Sequence, residues 1–504
     1  MAAGTFVSLP NSSVLDTTKQ VAMFEAYQKV FIANVSLLYV ADFTNHKIAT
    51  ASVAAGGQYP PKGTILTGAT SSVVAVVDYI DTQSGAGTVY AYVTTPSLPV
   101  QNAEVLANAT ASVSFTTSAS GVAPPHFYPW TVYSGVSAST HGTMPESASI
   151  GCLYRGRCVL AGNQRYPYQW YMSRQANPFD WLYAVNDAQA PVAGGAADAG
   201  EMGDAIQALI SYNDDYLVIG GATTVYLMRG DPAAGGSLDK LTDTTGIFGP
   251  YAWCWDSQRN LYFWGTQGVY RLSNDFKALD NLTITTLPDI IKEEGANPTT
   301  HRITFGYDQI RDGLVICITK ISDATNSNYF FDLKSQGFFP ESYPASDGVY
   351  SQYYYDSNDK SLAGLLLGCA DGYVRVFDDD SKDDDQGATD ALIESYATIG
   401  PAGIGVDVDS RGRLKTLAIT TGADTDAVDY DIHVADTAEA VVDDIDTGAT
   451  PLFTGTISAG ARVKQLRPRS RGAWIGLKLK NVASTETWQF EKAVGDFTPA
   501  GDIK

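Results

Sequence analysis

Five cysteines (Cys152, Cys158, Cys254, Cys317, Cys369) and five histidines (His46, His126, His141, His301, His433) are the side chains best suited to hold a metal or act as nucleophile and base. Neither set has the spacing such chemistry needs. No CxxC pair occurs, and no two histidines stand at i, i+4, the separation that places two ligands on one helix face. The cysteines lie in apolar runs such as Leu314 to Ile318 (LVICI), so buried free thiols are expected in place of a metal site. A GxSxG elbow, a Walker loop and a GxGxxG after a strand are all missing, which leaves nucleophilic catalysis and phosphate cradling without a starting point. Glycoside hydrolysis needs only two carboxylates a fixed distance apart, and among 55 acidic residues the sequence cannot rank a pair. Two segments invite a calcium reading: DDDSKDDD (378–385), and DVDSRG with Asp407, Asp409 and Gly412. Both lack the bidentate Glu that ends a calcium loop, and the first is expected to be a solvated inter-domain loop.

The elements available to position any site are strands. The chain has 504 residues, enough for two to four domains, and sets 29 Tyr, 19 Phe and 8 Trp among 47 Gly and 22 Pro. Aromatic residues punctuated by turn formers suit short strands, not long helices. No apolar run approaches the roughly 18 residues of a membrane span, and the start MAAGTFVSLPNSS lacks a signal peptide's layout, so a soluble protein made in a cytoplasm is expected. The net charge of −22 argues against gripping a nucleic-acid backbone, though not against letting DNA pass.

Charge and hydropathy divide the chain. Residues 1–150 carry only seven acidic and four basic groups, and the first arginine is Arg155. Within them Ile65 to Val93 reads as a hairpin, VVAVVDYI and VYAYV around a Gly-rich turn. From about residue 150 an apolar strand, a polar turn and a second apolar strand recur five times, with turns near residues 156, 214, 258, 311 and 358. A spacing of about 40 to 50 residues is that of a β-propeller blade. Three units continue into a further strand: TTVYLMRG after 221, TQGVYRLS after 265 and ADGYVRVFD after 368. An earlier stretch, AYQKVFIANVSLLYVADF (26–43), supplies another blade, with strands from both chain ends expected to close the ring.

The expected fold is therefore all-β: a propeller of about six blades from residues 1–49 and 119–394, an inserted small β-module at 50–118, and a C-terminal antiparallel, sandwich-like β-domain at 395–504. A β-sandwich with long irregular loops is the alternative. In the C-terminal domain Val428, Tyr430, Ile432 and Val434 alternate with Asp429, Asp431 and His433, and Ile475, Leu477 and Leu479 repeat the pattern. Nine acids and no base lie between Asp424 and Asp446, among them Asp443, Asp444 and Asp446. Ala461 to Lys480 holds seven bases and no acid, among them Arg462, Lys464, Arg467, Arg469 and Arg471. Such segregation can set the register between identical subunits, can pair internally, or can leave the arginines to meet DNA phosphate.

The stretch YRGRCVLAGNQRYPYQWYMSRQANPFDWLY (154–183) resembles the blade motif of the tail-nozzle family of short-tailed bacteriophages, the tail tubular protein B or packaged-DNA stabilisation proteins. The resemblance runs through Arg157, Gly162, Ser173, Pro178, Phe179 and Asp180, and is similar again at FGPYAWCWDSQRNLYFWGTQGVYRL (248–272) and RGAWIGLKLKN (471–481). Independently of it, Pro178 fixes a turn, Phe179 and Trp181 suit core anchors, and Asp180 can cap the turn's amides. The resemblance implies a non-enzymatic structural virion protein with no cofactor, six copies of which form a ring below a portal-adaptor ring. It further implies contacts with other tail proteins (fibres, spikes or a needle), transient passage of double-stranded DNA, and assembly in the host cytoplasm into the virion tail. The rival expectations are a receptor-binding or fibre-like virion protein and a propeller hydrolase of surface glycans.

Overall fold

A computed structural model describes residues 8–502 apart from 17, 36, 54–58, 83–84, 96, 109, 111–112, 136–139, 195–201, 345–346, 379–380, 387–388 and 406–409. Strands take up 49% of the chain and helix 5%, far below the helical third of an ordinary globular protein. The fold is a β-propeller that carries an inserted β-module and a C-terminal antiparallel domain.

Blade 1 consists of Ala22–Ala26, Lys29–Asn34, Leu37–Asp42 and His126–Pro129. Blade 2 follows with Ile150–Tyr154, Arg157–Ala161, Trp170–Met172 and Val192–Gly194, and blade 3 with Ile206–Tyr212, Tyr216–Gly221, Val225–Arg229 and Ser237–Thr242. Blade 4 is Trp253–Trp255, Leu261–Gly265, Gly268–Leu272 and Leu279–Asn281, and a fifth four-stranded sheet opens with His301–Asp308 and Gly313–Lys320. Val349–Tyr355, Gly364–Cys369 and Val374–Val376 form a three-stranded sixth sheet. The five expected hairpins are thus the first hairpins of blades 2 to 6. Ring closure differs from expectation, because blade 1 takes its fourth strand from His126–Pro129 and none from the other chain end.

Polarity falls along each blade in the order the sheets need. First strands of successive blades lie against each other: Ala22–Ala26 on Ile150–Tyr154, that strand on Ile206–Tyr212, and Trp253–Trp255 on His301–Asp308. Second strands such as Arg157–Ala161 and Leu261–Gly265 are buried throughout, since sheets pack on both their faces, and their sequences RCVLA and LYFWG are accordingly almost unbroken apolar runs. The outermost strand Ser237–Thr242 (SLDKLT) is largely solvated.

Between the third and fourth strands of blade 1 the chain leaves to form a closed six-stranded barrel, His46–Val53, Gly87–Val93, Val74–Ile80, Ile65–Gly68, Val105–Asn108 and Val113–Thr117 in spatial order. Closure leaves this small sheet no edge to expose. Its Tyr79 and Tyr90 stack on blade residues: Tyr90 lies 4.0 Å from Tyr128 and Tyr79 4.5 Å from Phe179, ring centre to ring centre. Beside the stack sits a buried charge cluster. Lys29 reaches Asp78 at 2.7 Å and Asp42 at 3.8 Å, Lys62 also pairs with Asp78, and Asn45 donates to both carboxylates at 2.8 Å. Burial works to raise the Asp78 pKa, but the two lysines outweigh it and hold the carboxyl at about 2.

The chain divides into two compact units, residues 1–322, 330–338 and 350–365, and residues 323–329, 339–349 and 366–504. The second contains a sandwich. One sheet orders Tyr396–Gly403, Trp474–Asn481, Val428–Ala435 and Phe453–Ile457, and the other joins Val463–Leu466, Ser410–Thr421, Ser470–Gly472 and Phe490–Asp502. Leu414, Leu417 and Ile419 face Val428, Tyr430, Ile432, Leu477 and Leu479 in one core. The helix Ala438–Asp446 interrupts the expected run of strands. Thr437 caps it by accepting from the Ala440 N–H at 3.2 Å, and Val441 and Ile445, four residues apart, are its buried pair. They settle over Gly476, where an added Cβ would lie 2.7 Å from both side chains.

Candidate functional site

Three regions hold the residues singled out by the sequence or by unusual geometry. The first is a lock between blades 2 and 3. Arg157 is wholly buried, yet every nitrogen of its guanidinium has a partner. Nε and Nη2 donate to Asp231 Oδ2 at 3.2 and 3.1 Å, Nη2 also to Ala188 O at 2.7 Å, and Nη1 to Ala190 O, Ser173 O and Gln189 O at 2.7, 3.0 and 3.2 Å. Asp231 follows the third strand of blade 3, and its other oxygen accepts from the Ala233 N–H. Ser173 Oγ accepts from the Cys158 N–H at 3.0 Å, fastening the second strand of the blade to the third.

The other motif residues complete the same blade. Gly162 has φ +76°, and a Cβ there would collide with Ser149 Oγ. Pro178 O accepts from the Trp130 and Trp181 indoles at 2.9 and 3.1 Å, and Phe179 and Trp181 are buried. Asp180 accepts from the Leu182 N–H at 3.0 Å and lies 4.0 Å from Arg174. All six motif residues are therefore placed in or beside blade 2.

The second region is the mouth of the propeller axis, at the end where the chain enters the first strands of blades 1 to 5. A cavity of about 160 Å³ is lined there by Lys19, Gln20, Ser149, Gln207, His301 and Arg302, with apolar residues between them. Tyr251 spans the entry: its hydroxyl accepts from the Met23 N–H and donates to Val21 O, both at 2.9 Å, while its carbonyl accepts from the Phe305 N–H at 3.0 Å. Arg302 stacks its guanidinium 4.2 Å from the Tyr350 ring centre, and burial lowers its pKa from the ordinary value. The sequence reading missed Arg302, Lys19, Tyr251 and Asp231. For Arg302 a signal existed, a cation next to His301 at the head of an apolar strand.

The third region is the charged surface of the C-terminal sandwich. Part of the segregation resolves inside the chain, because Asp429 and Asp431 stand opposite Lys480 and Lys478, with Lys480 3.4 Å from Asp431. Arg462 reaches Glu491 at 3.4 Å, and Lys464 is half-buried on a neighbouring strand. Arg467, Arg469 and Arg471 are exposed, and Arg471 stands directly opposite the exposed Arg413, an unfavourable like-charge pair. On the helix, Asp443 and Asp446 are exposed and Asp444 is half-buried. Of the eight residues, Arg462 has an internal partner, Lys464 and Asp444 are half-buried, and the other five face solvent.

All five cysteines are buried and none is joined in a disulfide. Among the described residues no group of three or more His, Cys, Asp or Glu is placed to hold a metal ion, and Asp407 and Asp409 lie outside them. Burial, followed by the charge of Asp347, raises Asp384 to about 6, the largest upward shift of a carboxyl among the described residues. Among the described residues no helix is long and apolar enough to cross a membrane.

No family model and no curated protein matches the chain. Solved structures that resemble it include two extracellular domains from Bacteroides thetaiotaomicron, one assigned to a one-component and one to a hybrid two-component system. They are 9% and 8% identical with TM-scores of 0.35 and 0.34, and each covers 81% of this chain. PorZ, a surface component of the type-IX secretion system of Porphyromonas gingivalis, is 15% identical with a TM-score of 0.25 over 80% of the chain. The chain spans only 42%, 44% and 44% of the length of these three structures.

Proposed function

We propose that the chain is a structural subunit of the tail nozzle of a short-tailed bacteriophage, one of six copies in a ring that retains packaged DNA and passes it outward at ejection. A portal-adaptor ring above it and fibres, spikes or a needle around it are its partners in this reading. The observation that carries it is the lock in blade 2. The residues through which the sequence resembles the nozzle family are consumed in holding one blade together and to the next, which suits a scaffold and leaves none of them free for catalysis. A charge of −22 per copy gives passing phosphate few places to stick.

The test is the mass of the purified or virion-extracted assembly by native mass spectrometry. Six copies support the nozzle, three the fibre-like alternative, and a lone chain counts against both. Glycan hydrolysis keeps one foothold, since burial raises Asp384 to about 6, in the direction a general acid needs. Turnover of host surface polysaccharide that disappears in Asp384→Asn would replace the structural reading with that one.

A further inference from the structure

The axial mouth has a charge balance opposite to that of the chain. Acidic residues outnumber basic ones by 55 to 33 overall, whereas the lining of the mouth holds Lys19, His301 and Arg302 and no acid. Asp16 is the acid that senses Lys19, and it is already occupied by the N–H and hydroxyl of Thr18. His301 Nδ1 lies 2.7 Å from the Thr300 hydroxyl. Arg302 is the telling residue. The residue is half-buried: its Nε is enclosed with no hydrogen-bond partner, no carboxylate pairs with it among the described residues, and its guanidinium lies over the face of Tyr350. A buried donor left open is unfavourable, more so when charged, and such a group in a native fold calls for an acceptor. In Arg157, which is wholly buried, every such donor is closed by carbonyls and a carboxylate.

We propose that the mouth of the propeller axis binds a single oxyanion, a carboxylate or a phosphate, with Arg302 and Lys19 supplying charge and Gln20, Gln207 and Ser149 supplying neutral donors. The size agrees with one compact group or the tip of a longer ligand, since about 160 Å³ falls below the roughly 300–1,000 Å³ of pockets that engulf a drug-sized molecule. The lining comes from the entries to five blades, clamped by Tyr251, so the donors are held by the scaffold before any ligand arrives. This inference goes beyond the nozzle reading and does not depend on how many copies assemble.

The experiment is calorimetric titration of the full chain at low salt with inorganic phosphate and, separately, with acetate. Saturable binding near one equivalent is expected for one of the two, the tighter anion telling a phosphoryl ligand from a carboxylate. Arg302→Gln should weaken it about tenfold, the equivalent of about 1.4 kcal/mol. Lys19→Gln, at an exposed position that folding should tolerate, should weaken it severalfold. Lys277→Gln, on a solvated turn of blade 4, should leave it unchanged. Absence of saturation by either anion up to about 50 mM, far above a millimolar dissociation constant, overturns the proposal. So does binding that Lys19→Gln and Arg302→Gln leave intact, or that Lys277→Gln weakens equally.

Discussion

Arg157 and the trio Arg467, Arg469 and Arg471 are arginines of one chain put to opposite uses. Around Arg157 the fold supplies a carboxylate and four carbonyls in a space closed to water, so the charge holds two blades together. The trio sits on exposed turns and strands of the sandwich, with like charge across at Arg413, and the nearby carboxylate Asp436, which feels Arg471, is already paired with Arg411. The contrast teaches how to read a charged residue in such a scaffold. Where every donor is satisfied internally the residue explains stability; where none is, it is available to a partner.

The largest effect is expected at the lock. Arg157→Met should cost about 3–5 kcal/mol in urea unfolding, because Asp231 and the carbonyls stay buried without their donor. A loss under about 1 kcal/mol would erase the distinction just drawn. Next is the charge cluster under the barrel. Asp78 has its folded pKa lowered from 3.8 to about 2, so its contribution is fully present above pH 4 and is lost as pH falls through about 2. That contribution is about 2 kcal/mol, and Asp78→Asn should flatten the acid limb of the stability profile accordingly. Lys480→Gln breaks a half-exposed pair and should cost about 0.2–1 kcal/mol, less in high salt.

The smallest effect on folding, and the sharpest on assembly, is expected from reversing Arg467, Arg469 and Arg471 to Glu. Circular dichroism and melting should stay within about 0.5 kcal/mol of the parent per site. Ring formation at low salt, followed by light scattering, should weaken in the variant and, in the parent, as salt rises. Rings that form as readily from the variant remove the trio from the subunit interface.

Strands were easier to read than closures. The five hairpins stood out because a second strand packed on both faces must be apolar throughout, as in LVICI around Cys317, and a turn must be polar. What fills the gap in blade 1 was not legible, since HFYP at 126–129 is four residues long and its pairing with Leu37–Asp42 is set by a barrel lying between them. The helix Ala438–Asp446 hid inside an acidic run whose charge drew attention away from the i, i+4 pair Val441 and Ile445. Of the candidate sites, the motif in blade 2 was readable because its residues cluster in sequence. The axial mouth was not, because its lining is gathered from segments between Lys19 and Ile303 that only the circular arrangement of blades brings together.

The barrel's place inside blade 1 sets an order of events during synthesis. Leu37–Asp42 emerges from the ribosome with one edge unpaired, and its partner His126–Pro129 follows only after segment 43–125 has been made. At roughly 5–20 residues per second that wait lasts about 4 to 17 s, far longer than the microseconds a hairpin takes to form. A closed barrel can complete itself in the interval, and its Tyr79 and Tyr90 then present a ready-made surface on which Tyr128 arrives. The insertion would thereby act as a template that delivers the last strand of the first blade to its edge.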